Sequence, residues 1–232
     1  MKPNFTLSDL DPSIIIEPKN QAKSAVIWLH GLGADGHDFE GILPQLNLPL
    51  EHDIRFIFPH APVQPVTVNG GMVMRSWYDI LSMSIADRVD IEGVEQSSAI
   101  LNELIEQQVK EGIAAQHIVL AGFSQGGLIA LHTGLNAKYT LAGVMALSTY
   151  YPEACLKSDK VFKTEMPIFM AHGSYDQVIP LNIAESSSNL LIEQGYDVEW
   201  RTYPMEHSVC MAEIEQISAW LQDKLLKEVL IK

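Results

Sequence analysis

The sequence predicts an α/β fold, a mostly parallel sheet with helices on both faces, forming one domain over residues 1–232. Three observations lead there. Short apolar runs such as Ala25-Val26-Ile27-Trp28-Leu29 and Leu141-Ala142-Gly143-Val144-Met145-Ala146-Leu147 lack polar alternation, as expected of strands covered on both faces. Those runs alternate with helical periodicity along the whole chain, which implies a parallel sheet. A third run, His117-Ile118-Val119-Leu120-Ala121, passes through a glycine-flanked serine straight into a helical stretch, a strand–turn–helix unit.

Each element has a local signal. Ser13-Ile14-Ile15-Ile16 reads as an edge strand closed by Pro18. The run at 24–29 is the first buried strand, and His30-Gly31-Leu32-Gly33-Ala34-Asp35-Gly36 follows it. A short helix is expected near residues 38–46, then a strand over 53–58 ended by Pro59. Residues 66–74 look like a hairpin, because Asn69-Gly70 is a strong two-residue turn signal. Residues 90–111 form a helix with Ile91, Val94, Leu101, Leu104 and Ile105 on one face, and Gly112 ends it. After the serine turn and its helix come the strand at 141–147, a polar connection over 148–165 and a strand at 167–172. A helix is then bounded by Pro180 and Gly195, in keeping with proline at helix starts and glycine at helix ends. The strand at 197–203 and a helix carrying Ile214, Ile217, Leu221 and Leu225 on one stripe complete the alternation.

Composition narrows the function. Apolar residues make up 47% of the 232, enough for a sizeable core. A formal net charge of -14 argues against nucleic acid as a partner, since binding it rests on Lys and Arg neutralising phosphates. Cys155 and Cys210 are the only cysteines, so no disulfide framework is expected, and a reducing, cytoplasmic setting fits. Pro3, Pro12 and acidic residues break the N-terminus, which lacks the apolar core of a signal peptide. No run approaches the roughly 20 apolar residues of a transmembrane helix.

The serine turn is Gly122-Phe123-Ser124-Gln125-Gly126. G-x-S-x-G between a strand and a helix is the nucleophile elbow of the α/β-hydrolase fold. Serine at the apex of so tight a turn is strained, and the glycines keep side chains out of the space beside the neighbouring strand and helix. A serine hydroxyl needs a base, and the base needs a group to orient it. On this fold the partners come in the order Ser, Asp or Glu, His, each from a loop after a strand. Asp176 is the first carboxylate past the strand ending at His172, and His207 follows the strand ending near Tyr203. An oxyanion hole needs the amide of the residue after the nucleophile, Gln125, and a second from the loop after an early strand, where His30-Gly31-Leu32-Gly33 stands.

Competing signals are weaker. Gly31-Leu32-Gly33-Ala34-Asp35-Gly36 spells the dinucleotide fingerprint G-x-G-x-x-G, but the acidic residue required after the next strand is missing, since Glu51 and Asp53 precede that strand. The eight histidines form neither H-E-x-x-H nor a Cys/His set, so no metal or cofactor is expected, and His30, His37, His60 and His172 read as structural.

These segments resemble the carboxylesterase/acyl-protein thioesterase family, the phospholipase/carboxylesterase group of α/β-hydrolases. The resemblance is carried by Trp28-Leu29-His30-Gly31-Leu32-Gly33-Ala34-Asp35-Gly36, Ser76-Trp77-Tyr78-Asp79, Gly122-Phe123-Ser124-Gln125-Gly126-Gly127, His172-Gly173 with 176–180, and His207-Ser208. It implies Ser124, Asp176 and His207 as the catalytic triad and the amides of Leu32 and Gln125 as the oxyanion hole. It further implies a shallow apolar acyl groove with Trp77 near it, and often a homodimer. Many members have glycine before the histidine where this chain has Glu206, so local electrostatics there differ. Family members divide among protein thioesters, lysophospholipids and simple esters.

The expected activity is a serine hydrolase acting on carboxylic esters or thioesters of short-to-medium acyl chains. The rival from another class is a non-catalytic binding module, which should have lost part of the triad. The hairpin carrying Met72 and Met74 stays open between two readings. It forms one wall of the acyl groove and moves as a flap, or its methionines close a satellite cluster against the body of the protein.

Overall fold

A computed structural model describes residues 5–82, 89–156 and 165–226. Parts of the expected connection at 148–165, including Asp159, lie outside them.

Seven strands form the main sheet in the order β1-β3-β2-β6-β7-β8-β9. They are β1 (Ile14–Ile16), β2 (Ser24–Leu29), β3 (Ile54–Phe58), β6 (Ile118–Phe123), β7 (Gly143–Leu147), β8 (Ile168–Gly173) and β9 (Val198–Tyr203). Edge strand β1 runs antiparallel to β3, and every other pair is parallel. Between β3 and β6 the chain builds a separate antiparallel pair, β4 (Val63–Val66) with β5 (Met72–Arg75). The helices are α1 (Ile91–Lys110), α2 (Gln125–Asn136), α3 (Leu181–Glu193) and α4 (Met211–Leu225).

The unbroken apolar strands are explained by two cores, one on each face. Ala25, Ile27 and Leu29 of β2 pack with Leu101 and Leu104 of α1, Leu128 and Leu131 of α2 and Leu191 of α3. Val26 and Trp28 of the same strand pack with Ile217, Trp220 and Leu221 of α4 and with Phe39, Ile42 and Leu46. Successive strand residues point to opposite faces, so a strand covered on both must be apolar at every position.

Two elements differ from expectation. The segment near 38–46 is a 3-10 helix, Glu40–Leu46, with Pro44 inside it. Proline removes a backbone donor and clashes with the preceding turn, which an α-helix interior does not tolerate. The G-x-G-x-x-G stretch therefore leads into no α-helix N-terminus, and the dinucleotide reading fails on structure as well as sequence. The hairpin exists, but Asn69-Gly70 is not a two-residue turn. Val66 pairs with Met72, and the connection holds a 3-10 turn (Thr67–Asn69) followed by Gly70 and Gly71 at φ 66° and 79°. The two adjacent glycines supply the left-handed conformations, so the turn is longer and the strands are offset from 66–74.

Candidate active site

Every predicted catalytic residue sits at the C-terminal end of a parallel strand, where ligands bind in sheets of this kind. Ser124 follows β6, Asp176 follows β8 and His207 follows β9. Leu32 follows β2, which pairs with β6, so the glycine loop lies beside the serine turn.

Ser124 holds φ 53° and ψ -119°, a region that side chains avoid. Surrounding bonds enforce it. Its N–H donates to Leu147 O at 2.9 Å, and its carbonyl accepts from Thr149 Oγ1 at 2.7 Å. The flanking glycines are sterically required. A Cβ on Gly122 would lie 2.3 Å from Gly126 O, and one on Gly126 would lie 2.5 Å from His30 O. Gln125 opens α2, so its amide is among the helix N-terminal donors without intrahelical acceptors.

Asp176 is buried and fully bonded. Its Oδ1 accepts from the amides of Val178 and Ile179, both at 2.8 Å, and its Oδ2 lies 2.7 Å from His207 Nδ1. Two amides on one oxygen fix the carboxylate plane and leave the other oxygen facing the His207 imidazole, with His172 Nε2 3.3 Å from it on the buried side. The Asp176 and His207 loops are knit together: Ser174 N–H donates to Tyr203 O at 2.8 Å and Tyr175 N–H to Met205 O at 3.0 Å. A Cβ on Gly173 would meet Glu206 O at 2.3 Å, so glycine there lets the loops touch. The Phe123 ring packs on the His207 imidazole, centroids 4.8 Å apart. The Glu206 side chain is exposed.

Ser124, His207, Leu32 and Gln125 all line one cavity of about 510 Å³. Its walls are mostly apolar or aromatic, from Ala34, Val68, Tyr78, Ile80, Val89, Phe123, Tyr150, Val178 and Ile179. That size and lining suit a small organic group with a polar end. Among the described residues no three His, Cys, Asp or Glu side chains converge as a metal site.

The acyl-groove candidates are placed differently from expectation. Trp77, Met72 and Met74 are absent from the cavity lining, while Val68 and Asn69 at the hairpin turn contribute to it. Met72 is 63% exposed. Met74 Sδ accepts from Asn69 Nδ2 at 3.4 Å and so packs against the turn. Trp77 is only 2% exposed and belongs to the core. In a strand, alternate side chains face opposite sides, and the offset of β5 decides which side faces the site.

Sequence reasoning missed Tyr150, which lay inside the expected polar connection, and the buried side chains behind the site. His30 Nδ1 lies 2.7 Å from Gly31 O, while its Nε2 accepts from the Ala61 amide at 3.0 Å. The two partners fix the tautomer, with the proton on Nδ1. Burial lowers the His30 pKa to about 4, which keeps the ring neutral. His172, fully buried, donates from Nε2 to Ile179 O at 2.9 Å, and burial lowers its pKa as well. Both read as structural in the sequence, and both brace a loop of the site.

The phospholipase/carboxylesterase family model matches residues 10–225. Acyl-protein thioesterase 1 of Neurospora crassa is 38% identical over 229 residues, covering 93% of each chain. The protein of that name from Gibberella zeae is 35% identical, covering 91% of this chain and 95% of that one. Among solved structures, Zea mays acyl-protein thioesterase 2 superposes with a TM-score of 0.80 at 25% identity, over 92% of this chain and 98% of its own.

Proposed function

Since the chain belongs to the phospholipase/carboxylesterase family of α/β-hydrolases, we propose that Ser124, His207 and Asp176 are its catalytic triad and that the amides of Leu32 and Gln125 are its oxyanion hole. The protein is a carboxylic ester hydrolase of the serine class, acting on esters or thioesters. One observation carries the assignment of roles. Ser124, on a strained elbow, and His207, bonded at 2.7 Å to a buried Asp176, face the same apolar cavity.

The chemistry follows. His207 takes the Ser124 proton as Oγ attacks the acyl carbonyl, and Asp176 holds the imidazole tautomer and stabilises the imidazolium. The carbonyl oxygen becomes an oxyanion between the two amides, each donor worth about 2.7–4 kcal/mol. His207 then protonates the departing alcohol or thiol. Water activated by the same imidazole releases the acid from Ser124 and restores the enzyme.

Two relatives named acyl-protein thioesterase, each above 30% identity, favour an acylated-protein thioester as the physiological substrate. The 510 Å³ cavity is compatible with a short-to-medium chain. Lysophospholipids would use the same site. A series from acetate to hexanoate on matched oxygen esters and thioesters tests the preference. A fluorophosphonate should label the wild type at Ser124, and Ser124→Ala should lose activity by about 10⁶ with the fold intact. Labelling at another residue, or substantial activity in the alanine variant, would overturn the triad.

A further inference from the structure

Trp77 lies close to the serine turn yet lines no part of the cavity. Its polar atoms account for that position. Its backbone N–H donates to Gln125 Oε1 at 2.8 Å. Its indole Nε1–H donates to His30 O at 2.9 Å. Its carbonyl accepts from Ser97 Oγ. One residue is thus tied to the Gln125 side chain and to the backbone of the His30 loop, the two segments that carry the oxyanion amides.

The ties continue on each side. Gln125 is buried, and its Nε2 donates to Ser76 Oγ at 2.9 Å and to Tyr78 O at 2.7 Å. A donor amide facing Oε1 and an acceptor carbonyl facing Nε2 leave one orientation for the side chain. On the other side, His30 Nδ1–H donates to Gly31 O at 2.7 Å. In a trans peptide the carbonyl and the following N–H point in opposite directions, so fixing Gly31 O fixes the heading of the Leu32 N–H. Gly33 N–H donates to Arg75 O at 2.9 Å, closing the loop onto the same segment. Among the described residues no acceptor engages the Leu32 amide.

We propose that Trp77 and the side chain of Gln125 are positioning residues of the oxyanion hole, a brace that holds the Leu32 and Gln125 amides at a fixed separation. This rests on the reading of those amides as the hole. The brace runs from the Gln125 amide group through Trp77 N–H and indole to His30 O, and through the His30 ring to Gly31 O. The donors act only when aimed at the developing oxyanion, and a misplacement on the order of 1 Å can cost about a hundredfold in rate. Trp77 lines no part of the cavity, so on this proposal its effect falls on turnover rather than on binding of the chain.

Two variants test this. Trp77→Phe keeps a ring and loses the indole donor, while Gln125→Met keeps volume and the backbone amide and loses the side-chain bonds. Each is assayed for kcat and KM on acetate and hexanoate esters, for inhibition by a hexyl trifluoromethyl ketone, and for fluorophosphonate labelling. Expected is a fall in kcat of about 10–100-fold with KM within twofold. Ketone affinity should weaken by the same factor, and the hexanoate-to-acetate ratio should stay within twofold. A changed ratio or raised KM with kcat intact makes Trp77 an acyl-groove residue and overturns the brace. So does kcat within threefold of wild type in both variants. Should Trp77→Phe fail to fold, Gln125→Met carries the same thresholds alone. Failure of the underlying reading looks different: the wild type itself would resist the ketone and would not be labelled at Ser124.

Discussion

The serine elbow and the β4–β5 hairpin both reach the same cavity, but they are built under opposite constraints. At the elbow the backbone has no room. A Cβ at Gly122, Gly126 or Gly127 would meet atoms at 2.3–2.7 Å. At the hairpin turn, Gly70 and Gly71 have nothing within 4 Å, and only their positive φ calls for glycine. Met72 and Val73 beside them are each 63% exposed. Close packing at the elbow leaves a short sequence pattern that only one local structure satisfies. The open surface at the hairpin lets many sequences serve, so its pattern says that a turn exists and little about which side chains face the substrate.

The widest separation between the regions should appear in catalysis. Asp176→Asn keeps the shape of a buried carboxyl but offers an N–H to His207 or loses one of its two amide donors, favouring the wrong imidazole tautomer. A loss of about 10⁴ in kcat is expected, with melting temperature little changed. Matched Asp→Asn changes at Asp159 and Asp197, and Glu206→Gln, should stay within a few-fold. Steady-state kinetics on one ester decides it: a mild Asp176→Asn effect would mean another carboxylate orients the histidine.

Backbone crowding gives the next contrast. Gly126→Ala drives a methyl against His30 O and the Leu29 side chain, at 2.5 and 2.7 Å. A loss of about 3 kcal/mol or more in unfolding free energy is expected. Gly70→Ala meets no atom and only the strain of φ 66°, about 1–2 kcal/mol. Urea denaturation of the two variants measures the difference, and equal losses would remove the distinction drawn between the regions.

Legibility followed the same division. The buried strands, the elbow glycines, the order of Ser124, Asp176 and His207, and the alternation that predicts the sheet were all readable, because each is a local pattern with one physical solution. Asn69-Gly70 misled on turn length, since Gly71 beside it supplies a second left-handed residue that the dipeptide rule ignores. The sequence offers Trp77 as an acyl-groove candidate, whereas the structure leaves it out of the cavity lining. Its actual partners, Gln125 and His30, are 48 and 47 residues away in sequence. Long-range side-chain bonding of that kind leaves no periodic trace. Tyr150 was hidden for the same reason, as a wall residue made by the fold rather than by a motif.

One group beside the His207 loop sharpens this point, because no local pattern flags it. Glu213, in the first turn of α4, is fully buried; among the described residues only the Cys210 backbone favours its charge, and burial outweighs that contact. Burial raises its pKa from 4.5 to about 8. The folded state therefore holds a proton that the unfolded chain releases above pH 4.5, so stability is full below that value and is lost as pH rises towards 8. His30 acts in the other direction: with its folded pKa at about 4, stability is lost as pH falls below 6.5. Glu213→Gln removes the alkaline loss alone. Relative to wild type it should gain on the order of 3 kcal/mol between pH 5 and pH 8. Thermal melts at both pH values test this, and a pH-independent difference would show that Glu213 finds a partner for its charge.

The smallest expected effect bears on the hairpin itself. Met72 projects to solvent and Met74 packs on Asn69, whereas Val68 at the turn lines the cavity and its amide is anchored to Ile80 O at 3.0 Å. Asp79 holds the same turn by accepting from Thr67 N–H at 2.7 Å and Thr67 Oγ1 at 2.6 Å. A turn so anchored is expected to present one apolar side chain from a fixed position, as a wall rather than a flap. Met72→Ser with Met74→Ser should then leave kcat/KM within threefold at every chain length from acetate to hexanoate. Val68→Ser should lower the hexanoate value by about three- to tenfold and spare acetate, the yield of roughly 1 kcal/mol of lost apolar contact. If the methionine pair flattens the chain-length profile and Val68→Ser does not, the strands of the hairpin swing over the substrate, and the exposed face of β5 is the part that closes.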